Sequence, residues 1–227
     1  MRFRNVAIVV VGFAVAMAYM ESAVVVYLQR AVGITPEELF PLRQADVVGN
    51  LAAIEVGREF ATLVMLAALG VLVGRQGVDR LAWVCVAFGV WDIFYYVWLW
   101  VFVGWPHGLD TWDVLFLIPA PWAGPVWAPI AVSLALVGGG LAAARQVMAG
   151  RAPVVNLMRG IGAVGGGALV VGSFVANAPA LLSGQMPGWF PWPIFVAGMA
   201  MAGWAAATTL RAGSAAAGTG AATVAGD

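Results

Sequence analysis

Six stretches of this chain stay apolar for the roughly 20 residues a helix needs to cross a hydrocarbon core about 30 Å thick. They run approximately Val6–Leu28, Leu51–Val73, Leu81–Gly104, Val126–Met148, Leu157–Leu181 and Pro191–Leu210. Backbone that meets lipid must satisfy its own hydrogen bonds, so these stretches form helices unless they alternate apolar and polar residues as barrel strands do. They do not alternate. The expected fold is all-α: a polytopic transmembrane helical bundle of six spans, a single domain over residues 1–211. Composition agrees, because 63% of the 227 residues are hydrophobic and 10% charged, against about 45–50% and about 25% in soluble domains. Residues 212–227 are mostly Ala, Gly, Ser and Thr with one terminal acid. They offer too few large apolar groups to pack and are expected to form a disordered tail.

The arginines set the expected orientation, since short cytoplasmic loops are enriched in positive charge. Arg2 and Arg4 precede the first span, Arg75 and Arg80 separate the second and third, Arg145, Arg151 and Arg159 separate the fourth and fifth, and Arg211 follows the sixth. The opposite side holds Arg30 and Arg43, both in the long first loop. Both termini, and the tail, are therefore expected in the cytoplasm. Arg2, Arg4, the apolar run and the triplet Ala16-Met17-Ala18 also fit a signal peptide cleaved near Ala18, but apolar character resumes after Glu21 as far as Leu28, which fits a full span better.

Several chemistries are excluded at this stage. Eleven basic residues, all arginine, balance eleven acids, so the chain has no net charge with which to hold a phosphate backbone, and nucleic acid is not an expected partner. A lone cysteine, Cys85, and a lone histidine, His107, cannot supply a zinc site of several Cys and His ligands, and the sequence carries no haem or iron–sulfur motif.

What remains is a small set of ionisable groups inside the spans, each costing about 2.5–3.5 kcal/mol on insertion scales unless it finds a partner, a proton or water. Glu21 lies in span one, Glu55, Arg58 and Glu59 in span two, and Asp92 near the middle of span three. At about 1.5 Å of rise per residue, Glu55 and Glu59 sit about 6 and 12 Å below the outer end of their span, with Glu21 at similar depth. Glu55, Arg58 and Glu59 share one helical face by their spacing of three and four. One guanidinium neutralises one carboxylate, so converging spans would leave excess negative charge to be met by protons, by water or by a cation such as Mg2+ or Ca2+. A structural ion pair is the plainer reading of Arg58.

Prolines at 119, 121, 125 and 129 forbid one regular helix from Val114 through Ala144. Asp113–Trp122 is read as an interfacial or re-entrant segment on the outer face, either a lid over the carboxylates or a passive turn among headgroups. His107, Trp112, Trp122 and Asn177 are its candidate lid or rim residues, and Asp113 joins the candidate binding groups. Eight tryptophans, Trp98, Trp100, Trp105, Trp112, Trp122, Trp127, Trp189 and Trp192, map to this end, where an aromatic belt is expected. Gly162 and Gly166 form a small-xxx-small pair suited to close helix packing, within the chain or between copies.

The run from Glu21 through Val25-Val26-Tyr27-Leu28, the Glu55-x-x-Arg58-Glu59-x-x-Thr62 turn, Trp91-Asp92-x-x-Tyr95-Tyr96, and Trp112-Asp113 leading into Pro119-x-Pro121-Trp122-x-Gly124-Pro125 resemble a family of small bacterial polytopic inner-membrane proteins of uncharacterised activity. The resemblance extends over most of the chain up to Pro129. It implies a bacterial inner-membrane address and no particular reaction. Gln29-Arg30 stands where that family has a Leu-Arg run.

Three functions are compatible with these residues. The first is a protein that binds or translocates a proton, small cation or small ligand through Glu21, Glu55, Glu59 and Asp92. The second is a membrane enzyme acting on a lipid-like substrate with a carboxylate-held divalent metal. It lacks a Gly-x-Ser-x-Gly or His-Glu-x-x-His motif. The third is an accessory subunit whose charges meet a membrane-protein partner.

Overall fold

A computed structural model of the chain describes residues 3–33, 45–151, 153–183, 185 and 187–224, the side chains of 32, 45–52 and 215–224 excepted. Among these residues the elements run α1 (Phe3–Val32), α2 (Ala45–Val73), α3 (Gly77–Val103), β1 (Trp112–Phe116), β2 (Trp122–Pro125), α4 (Trp127–Met148), α5 (Leu157–Val175), α6 (Ala178–Leu182) and α7 (Trp192–Val224). Six helical segments, Phe3–Ala31, Ala53–Val73, Gly77–Val103, Trp127–Met148, Leu157–Leu182 and Trp192–Ser214, are long and apolar enough to cross a membrane. The chain is a multi-pass helical bundle, and the six stretches read from hydropathy coincide with its helices. Arg2 and Arg43 lie outside the described residues.

Two departures have physical causes. Where the composition past Ala212 suggests an unstructured tail, helical backbone continues to Val224. Alanine is the strongest helix former, the stretch has no proline, and extending a helix already nucleated avoids the cost of starting one. The second departure is the antiparallel pair β1–β2, which pairs Trp112 with Pro125, Asp113 with Gly124 and Val114 with Ala123. Short strands fit here because the prolines at 119, 121 and 125 block a helical ladder, while a hairpin leaves their ring nitrogens at the tip and edge.

The central helix is α3, which packs against α1, α2 and α4, while α5 packs along α7. Glycines set how closely these helices approach. A Cβ on Gly140 would lie 2.6 Å from the Ala82 carbonyl oxygen, and one on Gly89 would lie 2.6 Å from that of Ser133. These contacts fix the register of α3 against α4. Gly166 does the same for α5 against α7, its Cβ position lying 2.6 Å from the Ala202 nitrogen and 2.8 Å from the Gly198 oxygen. The Gly162–Gly166 pair is thus used within the chain. Gly104, with φ 71°, stops α3 in a left-handed C-cap whose N–H donates to the Trp100 carbonyl, the conformation glycine adopts at least cost.

The bundle has two distinct ends. Phe3 packs on Trp83 with ring centroids 5.9 Å apart, Ala82 meets Gly140, and Gln146 donates to the Ser214 hydroxyl at 3.3 Å. The start of α1 and the region of Ser214 in α7 therefore lie at one end, with Arg75, Arg80 and Arg145. The hairpin enters from the other end and goes deep. Its Phe116 stacks on Phe88 and leans on Trp91, each with centroids 6.3 Å apart. Phe88 lies fifteen residues before the end of α3, so the hairpin reaches about 20 Å along that helix. It is a re-entrant element. Gly124 lets β2 lie flush on α5 and the loop before α7, its Cβ position being 2.8 Å from Phe174 and 3.0 Å from Phe190.

These contacts predict opposite outcomes for two neighbouring glycines. Gly166→Leu should force α5 away from α7 and cost about 1–3 kcal/mol, seen as a lower thermal midpoint in detergent. Gly167→Leu, with no atom within 4 Å of its Cβ position, should leave the midpoint unchanged.

Candidate functional site

Glu21 of α1, Glu55, Arg58 and Glu59 of α2 and Asp92 of α3 are held at the level of the hairpin, each engaged by a partner. Arg58 on α2 makes ion pairs with Glu21 of α1 and Glu55 of its own helix, and its Nε donates to Glu55 Oε2 at 3.0 Å. The Thr62 hydroxyl, one turn on, donates to Glu21 Oε2 at 3.2 Å. These side chains keep a partial opening: Glu21 is 11% exposed, Arg58 22% and Glu55 25%.

Glu59 faces elsewhere. Both its oxygens accept the backbone N–H of Leu117 at 2.9 Å, and the carboxylate is buried. Leu117 opens the hairpin tip Leu117-Ile118-Pro119-Ala120-Pro121, where strand pairing has ended and the two prolines carry no N–H. A peptide N–H at that depth has neither water nor a ladder partner, and an anionic acceptor meets the need more strongly than a neutral one. Asp113 anchors the other end of β1. It is buried and accepts the Tyr96 hydroxyl from α3 at 2.9 Å. Two acids, one on α2 and one on the hairpin, thus pin the inserted element.

Asp92 accepts the Ser133 hydroxyl of α4 at 2.8 Å, and both residues are buried. Gly89 makes this possible, because it brings α4 against α3 one turn before Asp92. Tyr95 lies between the groups. Its phenol feels the charges of Asp113, Arg58, Glu55 and Asp92, and its backbone carbonyl accepts the buried Ser22 hydroxyl of α1 at 3.0 Å. Glu21, Glu59 and Asp92 therefore do not meet in one contact set. They are three separately partnered acids, of which Asp92 lies within electrostatic range of Tyr95 and Tyr96. Among the described residues no three His, Cys, Asp or Glu side chains come together as a metal-ligand group, so the expected Mg2+ or Ca2+ finds no ready ligand set there.

The candidate rim residues scatter. His107 is exposed in the turn before β1. Trp112 meets Phe190 edge-on with centroids 6.3 Å apart. Trp122 lies within the aromatic layer under the hairpin, 5.4 Å from Phe116 and stacked at 6.2 Å on Phe174. Asn177 ties the end of α5 to the following loop, donating to the Trp189 carbonyl at 2.9 Å. The indole N–H groups of Trp91 and Trp122 are buried without an acceptor among the described residues.

Several partners escape sequence reasoning. Ser22, Thr62, Tyr96 and Ser133 complete the network, and so does the Leu117 amide. Thr62 lies four residues after Arg58 and Tyr95 and Tyr96 lie three and four after Asp92, so helical spacing carried a signal for them. Ser133 carried none, because its partner depends on the register of α3 against α4. A further buried acid, Asp79, begins α3 at the other end of the bundle and accepts the Arg75 N–H at 2.9 Å, where a carboxylate also suits the helix dipole.

Comparisons with family models, with curated proteins and with solved structures gave no match for this chain.

Burial raises the Asp113 carboxyl to about 7, against the lowering action of the Tyr96 hydroxyl and the Val114 N–H, with Asp92 adding a further rise. An unfolded aspartate releases its proton near about 3.9. Between these values the folded state holds more protons than the unfolded one, so this group makes stability fall as pH rises through that window, with no further loss above it. Asp113→Asn should remove that part of the slope when thermal midpoints are compared from about pH 4 to pH 8. An identical slope in the variant would show that Asp113 titrates normally.

Proposed function

We propose that this is a bacterial inner-membrane protein, with both termini in the cytoplasm, that binds a proton or small monovalent cation in the acid network around Tyr95 from the periplasmic side. The observation that carries the reading is the balance of charge. Glu21 and Glu55 share the single guanidinium of Arg58, while Glu59, Asp92 and Asp113 are held by the neutral donors Leu117 N–H, Ser133 and Tyr96. Carboxyl groups in excess of cations at low dielectric are compensated by protons or a bound cation. A monovalent occupant fits better than a divalent one, given that no three-ligand group forms among the described residues.

Binding is favoured over passage across the membrane. The polar groups of the other helices are consumed locally: Ser173 donates to the Val170 carbonyl at 2.6 Å, Thr208 to that of Trp204 at 2.8 Å and Thr209 to that of Ala205 at 2.7 Å. They offer no relay towards the arginine-rich end.

Two experiments test the reading. Infrared difference spectra of the purified protein between about pH 5 and pH 8 should contain a protonated-carboxyl band that is lost in Asp92→Asn or Asp113→Asn. Spectra without any carboxyl change, in protein that also shows no sodium or potassium dependence of its thermal midpoint, would end the proposal. A membrane protein co-purifying at fixed ratio would instead favour an accessory role. For orientation, alkaline phosphatase fused after Leu109 should be active and the same reporter fused after Ala149 inactive. The reverse pattern would move the acid network to the cytoplasmic side.

A further inference from the structure

The half of the chain that follows the hairpin carries a charge imbalance that the acid network does not touch. From Val114 to Gly226 there is no aspartate or glutamate, yet Arg145, Arg151, Arg159 and Arg211 all lie in this stretch. Arg151 and Arg159 flank the short connection between α4 and α5, and neither forms an ion pair with an acid among the described residues. Arg159 is steered but not neutralised: its Nη1 donates to the Val154 carbonyl at 2.5 Å, and its backbone N–H donates to the Asn156 side chain that caps α5. The first turn of α5 adds the positive end of a 19-residue helix.

The Val154 carbonyl that Arg159 holds adjoins Val155, where the surface is hollowed. Val155, Leu157, Ile161 and Val164 border an open groove of about 670 Å³ floored by Gly160 and Gly165. A Cβ on Gly160 would meet nothing within 4 Å among the described residues, whereas one on Gly165 would lie 2.9 Å from Met201 Cε, so the hollow is open at Gly160 and bounded by Met201 further along. Leu157 is 81% exposed and Val164 76% exposed. On a helix apolar enough to cross a membrane, this trough lies parallel to lipid chains and begins at the level of the arginines.

We propose that the foot of α5 is a binding site for an anionic phospholipid, with one acyl chain along the groove and the phosphate between Arg151 and Arg159. Charge complementarity selects this occupant over a second copy of the chain. At this end of the bundle the acid among the described residues is Asp79, which is buried and engaged with Arg75. A second copy would therefore bring arginine against arginine, whereas a lipid phosphate supplies the missing negative charge together with an apolar tail of the right shape.

Native mass spectrometry of the full chain in detergent, titrated with phosphatidylglycerol or phosphatidylcholine, tests the site. Phosphatidylglycerol should be retained in preference to phosphatidylcholine, and each of Arg151→Gln and Arg159→Gln should weaken its binding about fivefold. Arg4→Gln, on α1, should have no effect. Ile161→Trp, a change at an exposed position that fills the trough, should weaken phosphatidylglycerol binding with both arginines present. Equal retention of the two lipids would overturn the proposal, as would unchanged phosphatidylglycerol affinity in the double arginine variant with an unaltered thermal midpoint. Full displacement of the lipid by inorganic phosphate would also overturn it, by reducing the site to a phosphate contact without a groove. None of these readouts depends on the acid network, so its failure would leave them standing.

Discussion

The fold depends on satisfying backbone that has been carried into an apolar interior. A hairpin reaching about 20 Å into a helical bundle exposes peptide groups at a depth where water cannot serve them. Strand pairing satisfies part of the hairpin, and Glu59 takes the Leu117 N–H at the tip where pairing fails. Tyr96 and Asp113 hold the other end of β1 against α3. An unmade hydrogen bond at such a position costs about 1–3 kcal/mol. Removing either acid therefore strikes the insertion itself.

The acids divide accordingly. Glu59 and Asp113 are committed to backbone and hydroxyl donors, whereas Glu21 and Glu55 share Arg58 at the half-open edge of the network. Asp92 lies behind them with Ser133. Tyr95 stands within electrostatic range of Arg58, Glu55, Asp92 and Asp113, and Tyr96 within that of Asp92 and Asp113. The Arg58 charge also reaches Glu59, which holds the hairpin tip.

Much of this was legible before any coordinates. Hydropathy located all six helices, because a bilayer imposes a length and a polarity that few other folds share. The prolines after Ile118 marked a re-entrant segment. Glu55 with Arg58 followed from helical spacing alone. The strand character of the hairpin was not legible, since Trp112–Phe116 reads as one more apolar run and the pairing that makes it a strand comes from ten residues further on. Helix past Ala212 was hidden by a composition that suits disorder in isolation and helix when a preceding helix is in place. The Asp92–Ser133 pair was out of reach because it is set by Gly89 opposite α4.

By itself the sequence determined the bundle, the number of its spans, the concentration of acids on α1 to α3 and the stretch from Val114 to Gly226 that holds four arginines and no acid. These follow from local composition and period, which act over a turn or a span. Tertiary structure alone decided which acid serves which donor: Glu21 with Arg58 and Thr62, Glu59 with Leu117, Asp113 with Tyr96, Asp92 with Ser133. The reason is one of range. A hydrogen bond is made or lost within a few tenths of an ångström, and between helices that precision is set by where glycines such as Gly89, Gly140 and Gly166 let two backbones touch.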